Sequence, residues 1–226
     1  MTIRPASAAD SARSGVVRAP DDGRRVIQRM REGDHLLVQM GTATRIGAAV
    51  VAADGDNLVI ASPDDEGLGV EVCGRESAAD AFAASVGALT TSAGVAEPVE
   101  PPHRLTDDRS PERPTDDEWL DTADSLALAD LVRRGSSTEL QAGLDATGLT
   151  HVPNWLVECA WGARAHLSIM AVVDSSLRSA VCFQLLESGW GRLQFDNDQV
   201  RFVRLSAGAV AERASDLVGL LPEPLS

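Results

Sequence analysis

Three Cys and four His are the side chains of this chain best able to hold a metal ion or to pair as nucleophile and base. Their spacing fits neither task. Zinc ligands recur a few residues apart on a knuckle or a helix turn, whereas Cys159 and His166 are seven apart, and Cys73 and Cys182 each fall inside a strand-like pattern. His35 and His166 open two matching strand-like runs. They read as core thiols and strand-edge histidines, free Cys being among the most buried residue types. Asp54-Gly55-Asp56-Asn57 and Asp196-Asn197-Asp198 have the acidic spacing of calcium-loop fragments, but neither is followed by the distal Glu that closes such a loop, so both read as hairpin turns. A phosphate-cradling GxxxxGK[ST] loop is impossible in a chain without Lys, and the Gly67-Leu68-Gly69 stretch precedes a strand rather than a helix. No GxSxG elbow occurs. The carboxylate pairs Asp64-Asp65 and Asp116-Asp117 lie in a turn and a linker, where burial cannot raise a pKa. No catalytic, metal-ligating or cofactor-binding residue is assigned, and an enzyme is not expected.

The four Trp are the remaining unusual residues. Trp119, Trp155 and Trp161 fall at or within helical segments and read as core or rim. Trp190 stands between Gly189 and Gly191 in what reads as a hairpin loop with few neighbours, so an exposed recognition role is expected of it.

The elements that must carry these residues fall into two blocks. Residues 1–20 are small and polar and read as a flexible arm. In residues 21–95 a helix is expected after Asp21 and Asp22, with Val26, Ile27 and Met30 on one face and Gly33 as its stop. Four strands follow: His35 to Met40, Ile46 to Ala53, Leu58 to Ala61, and a run in which Leu68, Val70 and Val72 alternate with smaller or polar residues. Ser77 and Asp80 have capping-box spacing before a helix carrying Phe82 and Val86. Residues 96–118 hold Pro98, Pro101, Pro102, Pro111 and Pro114 among charged side chains and read as an acidic, Pro-rich linker.

From Trp119 the order is helix to Arg134, helix from Thr138 to Ala146, and a third from Pro153 to Ala160, with Gly135 and Gly148 placed as left-handed caps. The remainder of 119–226 then repeats the first block. His166-Leu167-Ser168-Ile169-Met170 matches His35 onward, Arg178 to Leu186 and Arg192 to Phe195 follow, and Val200 to Arg204 leads into a Ser-started helix through Val210, Ala214 and Leu217. The offset between matched positions stays near 129 to 135 residues, which implies an internal duplication. The fold class is therefore α+β: two pseudo-symmetric halves, each an antiparallel sheet of about four strands packed with helices. They would form either one eight-stranded sheet or two sheets around a pseudo-twofold axis. Strands of the second half are apolar on both faces, Leu167, Ile169 and Ala171 on one and Met170 and Val172 on the other, so something must cover both.

Composition narrows the partners. The chain has 226 residues, 44% hydrophobic and 4% aromatic, with 34 acidic residues against 20 basic ones, all Arg, for a net charge of −14. Phosphate contact needs a cationic face, so nucleic acid is not an expected partner. No apolar run reaches the roughly 20 residues of a membrane span, and the N-terminal residues lack a secretory core. An odd number of Cys at no short repeat fits a reducing compartment. A cytoplasmic protein without membrane association is expected.

The run from Leu167 through Asp174, Arg178 to Leu186 and Val200 to Leu221, the helical entry Gly148-Leu149-Thr150-His151-Val152-Pro153-Asn154-Trp155, and the duplicated halves resemble the EspG family of cytosolic chaperones of type VII (ESX) secretion, over about residues 25 to 221. The resemblance implies a non-enzymatic chaperone whose C-terminal half holds the exposed apolar tip of a helical PE–PPE client. Strand alternation nominates Met170, Val172, Trp190 and Arg192 as partner-binding residues. A second reading, a homo-oligomeric structural or regulatory protein, uses the same apolar face to pair with its own copy as a homodimer.

Overall fold

Turn chemistry sets the strand boundaries. The computed structural model describes residues 33–64, 67–94 and 119–221. The expected arm, the helix after Asp22 and the 96–118 linker lie outside the described residues. In the first half, strands β1 (His35–Thr42), β2 (Arg45–Asp54), β3 (Asn57–Asp64) and β4 (Gly67–Gly74) form an antiparallel meander, and a 3-10 turn at Arg75–Ser77 runs into α1 (Ala78–Ser92). Gly55 carries the β2–β3 turn with φ of 65°, a conformation that costs Gly nothing. Ser77 makes no side-chain capping bond; the expected capping box is replaced by the 3-10 entry.

Between the halves come a two-residue strand β5 (Leu120–Asp121) and helices α2 (Thr122–Arg134), α3 (Ser137–Thr147) and α4 (Asn154–Trp161). Trp119 thus precedes β5 instead of opening a helix. The cap of α2 is Asp121, whose carboxylate accepts from the Ala123 and Asp124 amides at 2.8 and 3.1 Å, satisfying two of the four orphan N–H groups at that end. Gly135 and Gly148 end α2 and α3 in left-handed conformation, as their spacing predicted. The second meander is β6 (Ala165–Val173), β7 (Ser176–Leu186), β8 (Gly189–Asp196) and β9 (Gln199–Arg204), followed by α5 (Ala207–Asp216) and a 3-10 turn, Leu217–Leu220. Asp174 and Ser175 both have positive φ in the β6–β7 turn, the requirement of a type I′ hairpin.

The two meanders join edge to edge. β1 pairs antiparallel with β6, giving one nine-stranded sheet in the order β4-β3-β2-β1-β6-β7-β8-β9-β5. The halves therefore share a single α+β sheet, and each sends its last helix to the same face. On that face Leu36, Val38, Leu167, Ile169, Phe183 and Leu185 pack with Phe82, Val86 and Leu89 of α1 and Val210 and Ala214 of α5. Each buried Val, Leu, Ile or Phe among these contributes about 1.5–3 kcal/mol. A second cluster forms on the opposite face at the β8–β9–β5 end, where Leu128, Leu144, Trp155 and Leu156 meet Leu186, Val200 and Phe202. Trp155 stacks on Phe202 at 6.4 Å between centroids.

Candidate functional site

Register shows how the sheet builds its second face. Following paired residues across the strands, Val70, Ala61, Val50, Leu37, Met170 and Ala180 lie in one row. Val72, Val59, Ala52, His35, Val172 and Leu177 form the next. Apart from His35, both rows are apolar across six strands and cross the seam between the halves. None of their side chains joins either core cluster. Leu37, Val50, Met170 and Val172 are half-buried, Val72 and Leu177 are exposed, and Ala61 and Val70 at the β3–β4 end are buried. Ile46, on the same face of β2, is 70% exposed. An apolar patch of this breadth marks a contact surface more often than plain solvent exposure.

The four nominated residues do not come together. Met170 and Val172 occupy the rows just described. Trp190 and Arg192 lie on the opposite, helix-covered side, because Trp190 pairs with Leu185 and Arg192 with Val203. The expectation that Trp190 is exposed in a loop is corrected: it sits within β8 and is only 3% exposed. Its indole N–H donates to the Thr90 hydroxyl at 2.8 Å, and that hydroxyl donates to the Val86 carbonyl at 2.8 Å. Gly189 takes a positive φ of 117° at the strand's start, and Gly191 serves packing. A Cβ on Gly191 would stand 2.3 Å from the Phe202 ring, so Gly191 lets Phe202 lie against the β8 backbone while Trp190 enters the other core. The Trp that is exposed is Trp161, at the end of α4. Arg192 is half-buried, and its Nε has no hydrogen-bond partner.

A cleft of about 260 Å³ opens on the second face beside the apolar rows, between α2, α4 and the β8–β9 hairpin. Arg133 Nε donates to the Ala160 carbonyl at 2.7 Å, holding α2 to α4. Glu158 accepts from the Ser188 amide and hydroxyl at 3.1 and 2.9 Å, holding α4 to the β7–β8 turn. Leu156, Leu193 and Val200 supply apolar walls, and Leu126 and Phe195, 68% and 62% exposed, stand among its lining residues. Cys159 also lines it; burial and then the neighbouring Glu158 carboxylate push its thiol up to about 11. Trp155 and Thr122 contribute to its walls, while the Trp155 Nε1 and Thr122 Oγ1 atoms are themselves buried and find no partner among the protein's atoms. Leaving such a group unsatisfied costs about 1–3 kcal/mol.

The sequence reading missed the contribution of β1–β3 to the apolar rows and missed the cleft. The signal for the first was present: Leu36-Leu37-Val38 is apolar without alternation, the mark of a strand with two faces to cover. The cleft had none, because its walls come from segments brought together only by the sheet. Among the described residues no three His, Cys, Asp or Glu side chains are grouped as a metal site would need, and no helix is long and apolar enough to cross a membrane.

No protein-family model matches the chain, and no curated protein matches it in sequence. Among solved structures it is similar to the Mycobacterium tuberculosis type VII secretion system chaperone EspG5, determined in complex with the PE25–PPE41 dimer. The TM-score is 0.52 at 11% identity, over 88% of this chain and 78% of that one. At that identity the likeness is one of fold: this chain carries an EspG5-like α+β architecture.

Proposed function

We propose that this protein is a non-enzymatic, cytoplasmic chaperone or adaptor that covers the apolar tip of a helical client with the second face of its sheet. The observation that carries the reading is the pair of apolar rows running across the seam through Leu37, Val50, Met170 and Val172. The client's exposed aliphatic side chains would be desolvated against these rows, while a net charge of −14 keeps the protein from wrong associations. Similarity to EspG5, a chaperone seen with a PE–PPE dimer, supports a helical client of that kind. Contact belongs to Met170 and Val172 with their β1 and β2 neighbours. Trp190 anchors α1 to β8, and Arg192 faces away from the rows.

The test is titration calorimetry with a PE–PPE-like client recovered from the native host. Met170→Asp places a charge in the middle of the row; the expected loss of about 1.5–3 kcal/mol of apolar burial is roughly a ten- to hundredfold weaker affinity. Unchanged affinity, with the fold intact by circular dichroism, would sink the assignment. A protein that is dimeric without client and becomes monomeric on Met170→Asp would instead show that the rows pair with a second copy.

A further inference from the structure

We propose that residues 23–32, which lie outside the described residues, dock as a short amphipathic helix on the β3–β4 end of the second face, with Val26, Ile27 and Met30 over Ala61 and Val70. The inference does not depend on the client-binding proposal, since the client's contacts lie at the seam and these lie at the far end of the first half.

The first ground is burial at this end of the face. Ala61 and Val70 pair with each other across β3 and β4 and are 3% and 8% exposed. Neither belongs to a core cluster of the described residues, while Ile46 on the same face is 70% exposed. A sheet face open to water keeps its side chains accessible on that side, so this end has a cover of its own.

The internal repeat identifies the cover. Val70 and Val72 of β4 correspond to Val200 and Phe202 of β9, 130 residues on, and their partners Ala61 and Val59 correspond to Phe195 and Leu193. In the second half Val200 and Phe202 pack with Trp155 and Leu156 of α4, the helix that directly precedes β6. At an offset of 129 residues Val26, Ile27 and Met30 fall on Trp155, Leu156 and Cys159, and Gly33 falls on Gly162, which ends α4 with φ of 98°. The segment before β1 therefore has the apolar positions and the stop of the helix that covers the matching strands.

Reach and charge agree with this. The Asp34 carboxylate accepts from the Asp174 amide at 2.7 Å, which pins the chain beside the seam just before β1. From β1 to β4 is three strand spacings, about 14 Å, and ten helical residues span about 15 Å. Residues 23–32 hold four Arg and one Glu in a chain of net charge −14, and the β2–β3 turn with Asp54 and Asp56 borders this end of the sheet. A basic outer side of the helix is favoured in those surroundings.

The experiment uses the full chain with 13C in its Ala, Ile, Leu, Met and Val methyl groups. Nuclear Overhauser effects are expected from the Ile27 δ methyl, identified by its loss in Ile27→Leu, to the methyls of Ala61 and Val70. Ile27→Asp is expected to speed exchange of the β3–β4 amides at least tenfold relative to those of β6 and β7. Absence of the Ala61 and Val70 contacts overturns the proposal, as does unchanged relative exchange in Ile27→Asp. Contacts from Ile27 to Met170 or Leu177 instead would put the segment over the seam, and contacts seen only between labelled and unlabelled copies would give this end to a second molecule; either result overturns it too.

Discussion

Trp190 shows how little a residue's neighbours in sequence say about its environment. Glycines on both sides predict a hairpin loop with an exposed Trp, but the indole is held by a hydroxyl one hundred residues away. The chain of bonds from Trp190 through Thr90 to Val86 links the second half to the helix of the first inside the common core. Thr90→Val keeps the volume and removes the acceptor, leaving a buried N–H unpaired. The expected cost is about 1–3 kcal/mol, read as a lower denaturant midpoint with an unchanged slope. The positions of the residue's backbone neighbours were legible, since Gly and Trp at 189–191 can be read directly; Thr90 as the partner was not, because nothing local connects the two.

At the scale of elements, helix ends and hairpin turns were largely legible, because caps and turns are made by residues within one or two positions of each other. Asp54-Gly55-Asp56-Asn57 makes the expected turn, Gly135 and Gly148 make the expected caps, and Ser206 accepts from the Ala209 amide at 3.1 Å to start α5. Strand ends were less so. β8 begins at Gly189, three residues before the expected Arg192, since pairing with Leu186 and Leu185 extends it. That extension is what turns Trp190 inward and brings Gly191 beneath Phe202. Gly191→Ala would press a methyl onto the Phe202 ring and within 2.6 Å of the Val203 carbonyl. Overpacking of this kind costs about 1–3 kcal/mol. It is also expected to disturb the Trp155–Phe202 stack, visible as a weakened near-ultraviolet circular dichroism band, and an unaltered band and midpoint would contradict this account of the glycine.

For the whole molecule, the seam decides behaviour. Because β1 and β6 are neighbours in one sheet, and α1 and α5 pack on it side by side, the halves share a core and are expected to unfold together. Ile169, fully buried at the seam opposite Val38, is the place to test this. Ile169→Ala should cost about 2–5 kcal/mol, and Trp190 fluorescence and amide exchange in β2 should report the same lowered midpoint. Two separated transitions would show that the halves are independent units.

The sequence alone determined the α+β class, the repeated order of four strands and a helix, most caps and turns, and the two-faced apolar character of Met170 and Val172 in β6. Those follow from periodicity and from residues acting on their near neighbours. Only the tertiary structure decided that the repeats join edge to edge, that Leu37 and Val50 extend the apolar rows past the seam, that Trp190 is enclosed, and that the Trp155 indole N–H is buried without an acceptor. Each of these depends on which distant strand supplies the next hydrogen-bonded edge, and side-chain alternation within a strand carries no record of that choice.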